Sequence, residues 1–156
     1  MRLTTLTTAL ALCASSTLAA PTGSTFAIVK NHCSFPIWIT SVSNSAKPVV
    51  KVPASGNWVE PEYFDGTGTS IQIVTSDGGF YSDAPILNFG YTYNENSVYY
   101  DLNSIKGFSF SGQKITLGGG SNGDVPVITW DGAPPGHQDT RAYFAQTDLV
   151  LDLCAA

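Results

Sequence analysis

The stretch that decides the fold is TFAIVKNHCSFPIWITSV, residues 25–42. It holds two runs of β-branched and aromatic residues, 25–30 and 36–42, separated by a short segment that contains a cysteine. Runs of this kind are typical of β-strands. Because the second run follows the first almost at once, the sequence suggests that the two strands form a hairpin.

Runs of the same composition recur downstream, with turn residues between them. The predicted strands are 69–75, 86–93, 97–102, 114–117, 125–130 and 148–154. In the first of these, Ile71 and Ile73 lie on one face of an alternating strand. In the last, Leu149, Leu151 and Leu153 share a face opposite acidic residues, which is typical of a half-buried edge of a sandwich.

The connections between these runs are short or irregular. Asn94-Glu95-Asn96 suits a hairpin between its neighbours. Gly118–Asp124 is predicted to be a flexible loop and Trp130–His137 a long irregular connection. With 15 glycines, 9 prolines and no helical periodicity, the chain argues against long helices. No repeat or linker divides it, so the sequence predicts a single all-β domain, a β-sandwich of antiparallel strands.

The N-terminus reads as a secretory signal peptide, residues 1–19. One basic residue, Arg2, precedes an apolar run that ends in small residues, with cleavage near Ala19 or Ala20. The run is too short to span a bilayer, and no later segment reaches the roughly 20 apolar residues that a transmembrane helix needs. We therefore expect a secreted domain, residues 20–156, that lies outside the cell or in the cell wall.

Charge and motif content exclude several classes of function. Loss of Arg2 changes the formal net charge from −5 to −6, and an acidic surface disfavours nucleic acids and anionic membranes as partners. The motifs HExxH, CxxC and GxSxG are absent, and His32 and His137 are not at ligand spacing. We therefore expect no cofactor and no metal.

Three cysteines are present, but Cys13 falls within the predicted signal peptide. Cys33 and Cys154 remain, and two cysteines in an oxidising compartment allow a single intramolecular pairing. Such a bridge would join the start of the fold to its end. The alternative is two free thiols, one of which could pair between chains.

Acidic residues are the main remaining source of chemistry. Two carboxylates that converge on a cleft can act as acid and base on a glycosidic bond, whereas aspartates in turns often only stabilise the turn. Both interpretations stay open at this stage. The acids at predicted strand ends or in predicted loops are Glu60, Glu62, Asp65, Asp77, Asp83, Asp101, Asp124 and Asp131.

Aromatic residues are numerous for so small a domain. An exposed ring can stack on the apolar face of a sugar, whereas a buried ring belongs to the core. In Tyr99-Tyr100, one ring must face inwards and the other outwards if the strand is regular. The candidate binding residues are Asp77, Asp83, Asp101, Tyr91, Tyr93 and Tyr100.

Three segments resemble the thaumatin-like proteins. Residues 24–38, STFAIVKNHCSFPIW, are similar to the N-terminal strand pair of that superfamily, and residues 99–108, YYDLNSIKGF, to its central segment. The C-terminal strand with Cys154 resembles the closing strand. By size and cysteine count, the sequence is most similar to the small secreted fungal group named for the Blastomyces yeast-phase-specific protein.

The resemblance implies a thaumatin-like β-sandwich in which the first cysteine pairs with the last. Members are defence, antifungal, β-glucan-binding or sweet proteins, and some weakly hydrolyse β-1,3-glucan through a cleft of one Arg, one Glu and three Asp. Asp101 matches one cleft aspartate. The next expected acid falls at Lys106, the glutamate at Phe89 and the arginine near Thr75, so the resemblance implies a degenerate cleft.

Three functional hypotheses follow. The first is a secreted, non-catalytic monomer that binds cell-wall carbohydrate of the β-glucan type or a host surface. The second is a weak β-1,3-glucan hydrolase in which Asp101, the one catalytic candidate, acts with Asp77 or Asp83. The third is a protein-interaction role as an effector, antigen or inhibitor that contacts a host extracellular protein. Alternatively, Asp101 is a structural anchor paired with Lys106 or Arg141.

Overall fold

A computed structural model describes residues 24–156, so the predicted signal peptide, residues 1–19, lies outside the described residues. The described chain forms eleven strands and one turn of 3-10 helix, η1 (Gly79–Tyr81). The strands are β1 (Phe26–Asn31), β2 (Ile37–Val42), β3 (Val50–Val52), β4 (Asn57–Pro61), β5 (Thr69–Val74), β6 (Ile86–Asn94), β7 (Ser97–Ile105), β8 (Lys114–Gly118), β9 (Ile128–Asp131), β10 (Thr140–Tyr143) and β11 (Leu149–Ala155). Within these residues, no helix has the length and hydropathy needed to cross a membrane.

The strands form two sheets that pack face to face, which confirms the predicted β-sandwich. One sheet has the order β4-β1-β11-β8-β9 and the other β10-β7-β6-β5-β2-β3. Alternate residues of each strand point into the core between the sheets, and Leu149, Leu151 and Leu153 are fully buried there. Their shared face was predicted, but β11 lies between β1 and β8 and is not an edge strand.

The predicted hairpin of the first two strands is wrong. β1 pairs with β4 and β11, whereas β2 pairs with β3 and β5 in the other sheet. The chain crosses between the sheets at Asn31, whose side-chain Nδ2 donates to the carbonyls of Phe35 and Pro53, each at 2.9 Å. Its Oδ1 accepts from the Cys33 backbone N–H at 3.2 Å. These hydrogen bonds satisfy backbone polar groups where the chain leaves one sheet and enters the other.

The other predicted hairpin, around Asn94-Glu95-Asn96, is confirmed. β6 and β7 form the expected hairpin, although each strand is longer than predicted and only Glu95 and Asn96 connect them. Every described strand pair is antiparallel except β1 with β11, which run parallel. β9 begins at Ile128 and not at residue 125, because Pro126 lacks the N–H that a ladder requires. The short edge strands β3, β4 and β10 were not predicted.

The disulfide Cys33–Cys154 is present and joins the segment after β1 to β11. Its Cα atoms are 5.1 Å apart, and Cys33 is buried. Pairing with β8 is shifted between Leu153 and Ala155, and Cys154 has a φ of 54°, in the left-handed region. Strict alternation would place the Cys154 side chain on the face opposite to that of Leu153. The bulge turns this side chain towards Cys33 instead.

Candidate functional site

The outer face of the six-stranded sheet, the face that points away from the five-stranded sheet, carries a row of small and polar side chains. Asp101 on β7 lies opposite Gly90 on β6, and Gly90 lies opposite Ser70 on β5. Paired residues project to the same face, and their strand neighbours, such as Phe89 and Leu102, are buried in the core. The strand register therefore places these three residues side by side.

These residues form part of a cleft of about 310 Å³, named here the Asp101 cleft. Its lining residues are Thr67, Gly68, Thr69, Ser70, Gly90, Tyr91, Thr92, Tyr99, Tyr100, Asp101 and Thr140. Among these described lining residues, Asp101 is the only charged one. Gly90 matters because a Cβ at this position would lie 2.5 Å from the Asp101 Oδ1. A glycine inside a strand is the sequence signal that could have identified this close approach.

Asp101 is held by Gln138, a contact that the sequence did not predict. The Gln138 side-chain Nε2 donates to Asp101 Oδ2 at 2.7 Å. Asp101 is therefore not paired with Lys106 or Arg141, because those cations contact Asp83 and Asp139 at 2.8 and 2.6 Å. The second carboxylate oxygen borders the open cleft beside Gly90.

A polar row continues from the cleft across the sheet. The Ser70 hydroxyl donates to the side-chain oxygen of Asn88 on the neighbouring strand. The Gln72 side-chain amide approaches the Ser70 Oγ at 3.4 Å. Donors and acceptors thus line the outer face of β5 and β6, which suits a ligand with many hydroxyl groups.

At the hairpin end of the cleft, the surface becomes aromatic. A depression of about 460 Å³ adjoins the cleft and shares Thr92 and Tyr99 with it. Tyr99 is 45 % exposed, and its ring lies edge-on to that of Phe144, which is 77 % exposed, with 6.3 Å between centroids. Phe64 and the half-buried Tyr93 complete this end, named here the aromatic end.

The predicted tyrosines divide between the core and this surface. As expected, Tyr99 and Tyr100 face opposite sides, with Tyr100 buried. Tyr91 is also buried, so neither Tyr91 nor Tyr100 presents a ring face to a ligand. Burial raises the pKa of Tyr100 to about 12 and also raises the pKa of Tyr91. Tyr93 alone of the three predicted tyrosines borders the aromatic end.

The structure does not bring Asp77 or Asp83 to Asp101. Asp101 lies level with Ser70, whereas Asp77 follows the far end of β5, roughly 13 Å away along the strand. Asp83 precedes β6, whose first residue Ile86 pairs with Ile105, four positions or roughly 13 Å along β7 from Asp101. The contact of Asp83 with Lys106 lowers the pKa of its exposed carboxyl. Paired carboxylates in glycosidases are about 5 to 9.5 Å apart. The proposed acid–base pairs are therefore not assembled.

The other cleft positions implied by the thaumatin-like resemblance do not supply the missing groups. Phe89, in place of the glutamate, is fully buried. Lys106 is a cation with a φ of 59° in the turn after β7. No group of three or more His, Cys, Asp and Glu side chains that could hold a metal ion occurs within residues 24–156.

Sequence comparison identifies the family of this fold. The model of the Blastomyces yeast-phase-specific protein family matches residues 12–155. The chain belongs to this family. This finding confirms the resemblance drawn from residues 24–38 and 99–108.

Comparison with individual proteins supports the assignment to the Blastomyces yeast-phase-specific protein family. The chain is 26 % identical over 140 residues to the antigenic thaumatin-like protein of Arthroderma benhamiae, a match that covers 81 % of this chain and 69 % of that protein. Its fold is similar to the crystal structure of the protein elicitor MoHrip2 from Magnaporthe oryzae, with a TM-score of 0.66, 18 % identity and coverage of 85 % and 100 % of the two chains. At that identity, the likeness shows the fold alone.

Proposed function

We propose that this protein is a secreted, non-catalytic module that binds a neutral cell-wall polysaccharide of the β-glucan type in the Asp101 cleft. One observation carries the proposal: the partly exposed ring of Tyr99 lies on the same face as Asp101, two residues away on β7. An aromatic ring can cover the apolar face of a sugar while a carboxylate accepts hydrogen bonds from its hydroxyls. The polar row at Ser70 extends that surface.

Binding without hydrolysis fits the charge content of the cleft. Cleavage of a glycosidic bond uses two carboxyl groups, one to protonate the leaving oxygen and one as base or nucleophile. The described lining supplies one, Asp101. A secreted location agrees with relatives that are named as an antigen and an elicitor.

A pull-down on insoluble β-1,3-glucan tests the binding proposal. We expect Tyr99→Ala to weaken binding about 5-fold to 10-fold, because stacking is lost. Asp101→Asn should weaken binding about 10-fold, because a charge-assisted acceptor is lost. Tyr99→Phe and Asp124→Asn are matched controls that should bind as the unmodified protein does. If the unmodified protein is not retained, the proposal fails.

The same preparations test the absence of catalysis. No reducing sugar should be released from β-1,3-glucan on prolonged incubation. Release that disappears in Asp101→Asn would instead support a hydrolase and contradict the non-catalytic assignment. Release that persists in that variant would point to a contaminating enzyme.

The aromatic end favours a second candidate, which is contact with a host extracellular protein. Phe64 lines the same depression as Tyr99, the exposed ring of Phe144 contacts that of Tyr99, and clustered exposed apolar residues often mark protein interfaces. A host protein that is lost with Phe144→Ser but retained with Asp101→Asn would support this candidate. Equal retention of the host protein by both variants would show that the aromatic end is not part of the interface.

A further inference from the structure

The outer face of the six-stranded sheet has a second groove at its opposite end, between β3 and η1. Two adjoining depressions of about 490 and 280 Å³ share Val49, Phe80 and Tyr81. Trp38, on β2, lines the smaller of the two. Because Ile37 and Ile39 point into the core, Trp38 points to the outer face. We name this the Trp38 groove.

Tyr81 is presented by a turn that is itself well fixed. The η1 turn is closed by a backbone hydrogen bond from Tyr81 N–H to Gly78 O at 2.9 Å. Gly79 is buried, and a Cβ on it would lie 3.0 Å from Val74, so the turn packs tightly on the end of β5. Tyr81 is nevertheless 87 % exposed. A rigid turn thus holds a large ring in solvent, where the ring adds nothing to the core.

Two opposite charges border the groove and indicate what it can accept. The Lys51 Nζ lies 5.4 Å from the centroid of the Trp38 ring, and Asp77 lines the same depression. Neither Lys51 nor Asp77 forms an ion pair with another described residue. An apolar partner surface would desolvate both charges without compensation. A neutral polyhydroxyl ligand can instead accept a hydrogen bond from the lysine and donate one to the aspartate.

One side-chain contact links the Trp38 groove to the Asp101 cleft. Gln72 lines the groove, and its side-chain amide is 3.4 Å from the hydroxyl of Ser70, which lines the cleft. Three strand spacings separate β7 from β2, or about 14 Å. The register also places Trp38, which pairs with Val74, six positions or roughly 20 Å along the strands from the level of Tyr99. A ligand that runs diagonally over the sheet would therefore meet aromatic rings at both ends and polar side chains between them.

We propose that the Trp38 groove is a second sugar-binding subsite, so that the ligand is an extended neutral polysaccharide spanning from Tyr81 to Tyr99. The inference rests on the proposed function and deepens it, because it assigns a second subsite and makes binding depend on the length of the sugar chain. Tyr81 supplies an open ring face, Trp38 lies beside it under the Lys51 ammonium, and Lys51 and Asp77 supply the polar contacts. Short oligosaccharides would occupy the Asp101 cleft alone.

Titration with β-1,3-linked glucose oligosaccharides of two and of at least six units tests this length dependence. Tyr81→Ala should lower the affinity for the long oligosaccharide at least about 5-fold and leave the affinity for the short one unchanged. Tyr81→Phe should bind both with the affinity of the unmodified protein. Tyr99→Ala should lower the affinity for both oligosaccharides. The long ligand alone should change the fluorescence of Trp38, a signal that Trp38→Phe removes, because Trp130 and Trp58 pack in or against the core.

The possible outcomes separate the two proposals. If Tyr81→Ala binds the long ligand normally while Tyr99→Ala does not, the second subsite is overturned and the proposed function stands. If Tyr81→Ala weakens both lengths equally, a single site includes Tyr81 and the two-subsite arrangement is overturned. If the unmodified protein binds neither oligosaccharide, both proposals fail together.

Discussion

Replacing Cys33 by serine should lower the free energy of unfolding by about 4–5 kcal/mol, the largest effect that we expect of any single substitution. The bridge from Cys33 to Cys154 closes a loop of 121 positions, and a loop of that length restricts the unfolded chain strongly. The loss is comparable to the whole stability of many domains, about 5–15 kcal/mol. Urea denaturation of the variant, and of the unmodified protein with and without reductant, measures it.

Two double variants control for the free thiol and for the backbone at Cys154. Cys33→Ala with Cys154→Gly should be about 1 kcal/mol more stable than Cys33→Ala with Cys154→Ala, because the φ of 54° at residue 154 suits glycine better. Equal stability would mean that the bulge relaxes once the bridge is gone. An unchanged melting temperature of the unmodified protein under reducing conditions would refute the stabilising role of the bridge.

The second large effect concerns Glu62, a buried carboxyl between the two sheets. It follows β4, and its backbone N–H donates to Thr25 O at 2.8 Å. Both of its carboxylate oxygens are buried without a described hydrogen-bond partner. The pKa of Glu62 is raised to about 7, chiefly by burial; the Thr25 hydroxyl and the Leu149 backbone act to lower it, and the nearby charge of Asp148 acts to raise it.

This pKa predicts that the protein becomes less stable as the pH rises from about 4.5 to about 7. In that interval the folded state holds a proton on Glu62 that the unfolded state has released, so unfolding is favoured by each rise in pH. The full change is about 3 kcal/mol. Glu62→Gln should abolish this part of the pH dependence and should be the more stable protein at pH 8.

Urea denaturation at several pH values tests the expectation, with Glu95→Gln as a matched control in the exposed β6–β7 turn. The control should keep the slope of the unmodified protein. If Glu62→Gln also keeps that slope, Glu62 is ionised in the folded protein and the assignment is wrong. A variant that is destabilised at every pH would show instead that the carboxyl makes a specific bond.

Local pattern was enough to predict most strands but not their partners. The alternation at Ile71 and Ile73 and the three leucines from Leu149 to Leu153 identify core-facing positions, and all five are buried. Parallel pairing of β1 with β11 joins segments that lie more than a hundred residues apart, and no local pattern encodes it. The edge strands β3, β4 and β10 were not predicted because they are short and mostly exposed, as β4 is.

The site was predicted in part. Asp101 was identified through a resemblance, and Gly90 faces it across the predicted β6–β7 hairpin. Gln138 reaches Asp101 from the segment before β10, 37 residues along the chain, and a linear sequence does not reveal that contact. Alternation required one of Tyr99 and Tyr100 to be buried without indicating which one. Tyr91 shares its strand face with Phe89, which is fully buried, and that spacing of two residues was the available sign that Tyr91 belongs to the core.

The place of β11 in the middle of its sheet has a consequence for the order of folding. β2, β3, β5, β6 and β7 pair with near neighbours in sequence, so most of their sheet can assemble on a nascent chain. β1 and β8, in contrast, have no central partner until residues 149–155 have been synthesised. Until then, half of the sandwich presents apolar strands with unpaired edges, a state in which chains readily aggregate. We therefore expect the nascent protein to depend on a chaperone that covers those edges until β11 inserts.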